Sequence, residues 1–153
     1  MTTLTPEAFA ALCAAEAPFA ELYGFQVERF AADGATVRLP WRPALLRPGG
    51  TVAGPALMAL ADFAVYAALL ARIGRVPLAV TTSLSINFLR KPGAGDLLAE
   101  AGLLKLGQRL AVGEVTIAPA AGGEPVAHAV ATYSIPPRAG QGPGAPPSPA
   151  AVS

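Results

Sequence analysis

One carboxylate stands apart in this chain. Asp62 is the lone charge in residues 52–71 (VAGPALMALADFAVYAALLA), with Met58, Tyr66 and Leu69 as its helical neighbours. A carboxylate in such surroundings is costly unless it is paired, hydrogen-bonded or set at the opening of a site. A capping core hydroxyl or an exposed helix face would also accommodate it, although the apolar neighbours argue against free exposure. Desolvation makes a carboxyl hold its proton more tightly, which suits a general base or a nucleophile working near neutral pH. Gly49, Gly50 and Gly54 frame the start of the same run. Free N–H groups and the positive end of a helix dipole at that point would receive a carbonyl oxygen or a developing oxyanion. On the glycines alone, an entry turn is the simpler reading. Gly54 and Asp62 are eight residues apart, which on one helix is about 12 Å at 1.5 Å per residue. One chain cannot bring both to one carbonyl, so a shared substrate requires two chains meeting across a two-fold interface.

Other reactive residue types offer less. His128 is the single histidine, lying in VAHAVATYSI without a serine or cysteine nucleophile motif, and is expected to be a satisfied strand residue. Cys13 is the single cysteine; it has no disulfide partner within the chain and, far from His128, no metal-ligand set, so no metal is expected. The net charge of +1 comes with scattered basic residues, so nucleic acid is not an expected partner. Residues 52–71 have the length of a membrane span. Asp62 would then sit near the bilayer centre at about 2.5 to 3.5 kcal/mol, and alanine contributes little in return. A buried helix is expected instead, without a membrane partner. The first sixteen residues have neither the basic start nor the long apolar run of a secretory signal, and a cytoplasmic address is expected. With 53% hydrophobic and 14% charged residues, the chain has little polar surface for a monomer, which favours self-association.

The elements that must position these residues follow from periodicity. Residues 5–15 predict a short amphipathic helix, with Thr5 as N-cap and Pro6 at its first position. Residues 24–30 and 35–41 alternate apolar with polar around Ala32-Asp33-Gly34 and predict a hairpin. Residues 42–50 hold two prolines and two glycines and predict an irregular loop into a long helix over about 53–73. The period then changes, and strands are predicted over 78–89, 96–106, 110–118 and 125–135, with Gly107-Gln108-Arg109 and Ala121-Gly122-Gly123 as turns. A helix apolar nearly all round must be covered on every side. An α+β fold results, a curved antiparallel sheet of five to six strands wrapped around the helix. Residues 1–137 are read as one domain, and the Pro/Gly/Ala-rich residues 138–153 as a disordered tail.

GGTVAGPALMALADFAVYAA (49–68), TTSLSINFLRKP (81–92), Gly95-Asp96, LGQRLAV (106–112) and residues 127–133 together resemble the hotdog-fold acyl-CoA thioesterases of the phenylacetate-degradation type, in the same order. The resemblance implies hydrolysis of an acyl-CoA by a dimer or dimer of dimers, with no cofactor beyond the coenzyme A of the substrate. Asp62 matches the family's acidic residue, a nucleophile or a base for water. Gly54 matches the glycine whose N–H polarises the thioester carbonyl. Thr81 falls where such enzymes carry a hydroxyl that positions the acid or the water. Asn87, Arg90 and Lys91 match the region that meets the pantetheine and phosphates of coenzyme A, and Arg109 is counted with that binding set. Two positions depart from the pattern. Where relatives have His-Gly-Gly at the helix start, this chain has Ala53-Gly54-Pro55. Arg47 stands where several have an Asn or Gln that helps hold the carbonyl or water, so it either becomes a cationic donor or leaves a weaker oxyanion site. These departures keep a non-catalytic acyl-CoA binder or ligand sensor on the same fold as the alternative.

Overall fold

A computed structural model describes residues 4–137, so the predicted tail 138–153 lies outside the described residues. Helix α1 (Pro6–Glu16) begins as its sequence predicts: the Thr5 side chain accepts from the Ala8 N–H at 3.0 Å, and Phe9, Leu12 and Cys13 turn inward. A second helix, α2 (Phe19–Tyr23), was not predicted. Its five residues are too few to show a period, and Gly24, read as a strand start, instead ends it in the left-handed conformation at φ 73°.

Strands β1 (Gln26–Ala31) and β2 (Gly34–Leu39) form the predicted hairpin. Gly34 is obligatory there: φ is 149°, and a Cβ would lie 2.4 Å from the Ala101 carbonyl oxygen. The loop predicted to be irregular contains a 3-10 turn (Pro43–Leu45), followed by a tight loop in which the Arg47 N–H donates to the Thr51 carbonyl. It delivers the chain to α3 (Gly54–Ile73), with Pro55 in the first turn, where a missing N–H leaves no bond unmade. Four strands complete the chain: β3 (Val80–Phe88), β4 (Leu97–Leu106), β5 (Leu110–Pro119) and β6 (Ala127–Ser134).

The six strands form one antiparallel sheet in the order β1-β2-β4-β5-β6-β3, leaving β1 and β3 as edges. Alternation along each inner strand turns small residues toward α3: Ala35 and Val37, Ala99 and Ala101, Ala111 and Val115, Ala127, Ala129 and Ala131 are all buried. The helix answers with Ala61, Ala64, Ala67 and Ala68, also buried. Small side chains on both surfaces bring the axis close to the sheet, and at Gly113 an added Cβ would meet Val65 Cγ1 at 2.7 Å. The helix lies in the hollow of the curved sheet, which is the hotdog arrangement. By composition alone α3 is long and apolar enough to cross a membrane; in this fold 72% of its most apolar stretch is buried in the core.

Candidate active site

Asp62 lies at the middle of α3, half-buried, where the helix passes the start of β3 and the end of β6. The Thr81 hydroxyl donates to Asp62 Oδ1 at 2.6 Å, and the Tyr133 hydroxyl donates to the same oxygen at 2.5 Å. Thr81 and Tyr133 are directly opposed across the β3–β6 ladder, so register alone delivers both donors to one place. The Tyr133 oxygen also lies 2.9 Å from the main-chain carbonyl of Asp62, and its single proton is shared, with the charged oxygen closer. Burial first, then the neighbouring Asp62 charge, holds Tyr133 well above the usual phenol range, so it remains a donor at any physiological pH. Beside it the Tyr66 hydroxyl donates to the Pro77 carbonyl at 3.1 Å, and burial pushes this phenol up to about 12.

These groups border a cavity of about 330 Å³ lined chiefly by apolar atoms, with Phe19, Phe63 and Val80 among its walls. A second cavity, of about 290 Å³, opens at the other end of α3, where Gly54 meets Arg47, Phe88, Arg90 and Lys91. The Phe88 ring stands 3.5 Å from where a Gly54 Cβ would be. Neither cavity contains both Asp62 and Gly54. The fold therefore keeps the acid and the helix start apart within one chain, as their spacing required.

The remaining candidates divide. Arg47 and Lys91 are exposed and form no side-chain hydrogen bond or ion pair among the described residues. Arg90 donates to the Pro125 carbonyl at 2.8 Å and stands 3.7 Å from Glu124, so part of its guanidinium ties β3 to the β5–β6 turn. Asn87 is exposed opposite His128 on the outer sheet face, away from both cavities. Arg109 donates to the Ile135 carbonyl at 2.8 Å near the end of β6 where Tyr133 stands, whereas Arg90 lies beyond its start. The structure thus does not bring Arg109 together with Arg90 and Lys91. His128 faces Glu114 at 2.9 Å on the outer surface. Burial pushes the Cys13 thiol up to about 11, which keeps it protonated and a poor nucleophile. Among the described residues no three His, Cys, Asp or Glu stand close enough to hold a metal ion.

Tyr133 is the site residue that sequence reasoning missed. A signal was present: the inward positions of β6 run Ala127, Ala129, Ala131 and then Tyr133, a large polar-tipped ring after three alanines.

A carboxylate fixed by two hydroxyls on a helix laid in a curved antiparallel sheet, with the helix start open beside cationic side chains, defines a hotdog protein equipped for chemistry at a carbonyl. The chain belongs to the thioesterase superfamily, whose pattern matches residues 49–126, a span that includes Gly54, Asp62 and Thr81. Among solved structures it is similar to a candidate thioesterase from Silicibacter sp., with 44% identity over 90% of this chain and 95% of that one, and a TM-score of 0.78. It is also similar to a variant of the phenylacetic acid degradation protein PaaI from Thermus thermophilus, with 32% identity over 78% of this chain and 99% of that one, and a TM-score of 0.69. Zebrafish thioesterase superfamily member 2 shares the fold at 22% identity, covering 89% of this chain and 100% of that one with a TM-score of 0.75. No curated protein matches the sequence. Family membership supports a thioesterase-type function acting on a thioester.

Proposed function

We propose that the protein hydrolyses acyl-CoA thioesters at sites built jointly by two subunits. The observation that carries this reading is the separation of the two half-sites: Asp62 opens on one apolar cavity, and Gly54 with three cationic side chains opens on another. In the assembled site the Gly54 N–H of one subunit polarises the thioester carbonyl with help from the helix dipole. Asp62 of the other takes a proton from water, whose oxygen adds to the carbonyl carbon. Collapse of the tetrahedral intermediate breaks the C–S bond, and the thiolate leaves with the proton from Asp62. The acyl group lies in the apolar cavity beside Phe19 and Phe63, and Arg47, Arg90 and Lys91 face the phosphates of coenzyme A. No further cofactor enters the reaction.

Self-association is supported by the surface. β3 is an edge strand, and Leu78, Val80, Phe88 and Leu89, along it and at its ends, are all more than half exposed. A second copy laid antiparallel along β3 covers this apolar row, pairs the open edge, and carries the Gly54 end of one subunit toward the Asp62 end of the other. The test is Asp62→Asn assayed for free thiol release on a panel of aromatic and aliphatic acyl-CoAs. Loss of about a hundredfold or more in kcat is expected for removal of an acid–base group. A variant as fast as the wild type refutes the role of Asp62, and a wild-type protein inert on the whole panel refutes hydrolysis.

A further inference from the structure

Asp62 receives both of its side-chain hydrogen bonds on one oxygen. Thr81 and Tyr133 converge on Oδ1 at 2.6 and 2.5 Å, and no described residue donates to Oδ2. Among the described residues the only side-chain polar atom both sealed from solvent and unpartnered is Trp41 Nε1, so Oδ2 opens on the cavity that Asp62 lines. We propose that Tyr133 is a positioning residue for the thioester chemistry, holding Oδ1 together with Thr81 and leaving Oδ2 as the oxygen that acts. The proposal rests on the hydrolase reading above for what Oδ2 acts upon.

The physical basis is directional. Two donors on one oxygen stop the carboxylate from turning about its Cβ–Cγ bond, so the second oxygen points one way when substrate arrives. Hydrogen bonds to the charged form also favour that form. Thr81 stands at a bulge near the start of an edge strand, where the ladder is irregular between Thr81 and Ser83. Tyr133 is only 3% exposed on β6, paired on both sides by β3 and β5, and is the stiffer of the two supports. A hydroxyl that merely needed a partner in the core would be satisfied by the Asp62 main-chain carbonyl at 2.9 Å. Its closer approach to the carboxylate is what a positioning role requires.

Tyr133→Phe keeps the ring and removes the donor. The other ionisable groups bordering the cavity are Glu16 from α1 and Tyr66 from α3, and Arg75 holds Glu16 at 2.8 Å. Selective ¹³C labelling of aspartate carboxyls, with the Asp62 signal assigned by its absence in Asp62→Asn, separates the group of interest from Glu16. Loss of one of the two donors on Oδ1 is expected to move the Asp62 carboxyl ¹³C resonance at pH 7 in Tyr133→Phe. Thr81→Val is expected to shift it in the same direction, while Thr81→Ser, which keeps a hydroxyl, restores it. In the hydrolysis assay Tyr133→Phe is expected to lower kcat about tenfold with little change in KM. An Asp62 carboxyl resonance unmoved in Tyr133→Phe overturns the proposal whether or not the protein hydrolyses thioesters. A shifted resonance in a protein inert to acyl-CoAs upholds the hold on Oδ1 and overturns the hydrolase reading instead.

Discussion

At the first residue before α3, Ala53 has the extended backbone of a helix N-cap, φ −67° and ψ 143°, but no side-chain acceptor. The same chain shows what is missing: Thr5, also followed by proline, accepts from the third N–H of α1. Ala53→Ser would offer an oxygen to the Ala56 N–H, which now donates only to the Ala53 carbonyl at 3.0 Å. A gain of about 0.5 to 1 kcal/mol in unfolding free energy is expected, read as a higher denaturant midpoint at unchanged slope. Hydrolysis should be unaffected, because Gly54 is the first helical residue and its N–H stays free. No gain in stability would mean that the existing 3-10-type bond already satisfies the helix end. At this scale the sequence was legible where a residue broke its local pattern. Asp62 announced itself as one charge in an apolar run. Tyr133 did not, because alternation tells which face a strand residue occupies and not how far its ring reaches. Only the β3–β6 register puts it on Asp62.

Between elements, the clasp around Asp96 has a charge-dependent stability. Asp96, just before β4, accepts from the Trp41 N–H at 2.8 Å and from Arg38 of β2 at 3.0 Å, while Arg38 also pairs with Glu28 of β1. The Trp41 N–H first, then the Arg38 guanidinium, holds the Asp96 carboxyl below the usual carboxylate range. Since the folded form binds its proton less tightly than the unfolded chain, its stabilising contribution is complete above the unfolded value, about 3.9, and disappears as pH falls through the lower folded value. Asp96→Asn is therefore expected to be less stable than the wild type at pH 7, with the difference in denaturant midpoint shrinking below about pH 4. A difference that persists unchanged at pH 2 would assign the effect to geometry and not to charge. Long elements were legible because they carry many periods: α3 was expected over about 53–73 and spans Gly54–Ile73. The short α2 was invisible, since five residues between Pro18 and Gly24 owe their helix to packing and not to pattern.

For the whole molecule, the separation of Asp62 from Gly54 makes a prediction that no single-chain site shares. Gly54→Pro deletes the N–H at a first-turn position where proline is tolerated, and the extended backbone of Ala53 accommodates a following proline. Asp62→Asn removes the acid. Each variant alone is expected to be nearly inactive. When the two are co-refolded, a mixed dimer holds one site with both groups intact and one site with neither. Random pairing makes half of the dimers mixed, and half of their sites whole, so about a quarter of wild-type activity should return. A site completed within one chain gives no recovery at any mixing ratio. The experiment also separates assembly from chemistry. Replacing Leu78, 75% exposed just before β3, with lysine should lower the dimer mass and abolish recovery together.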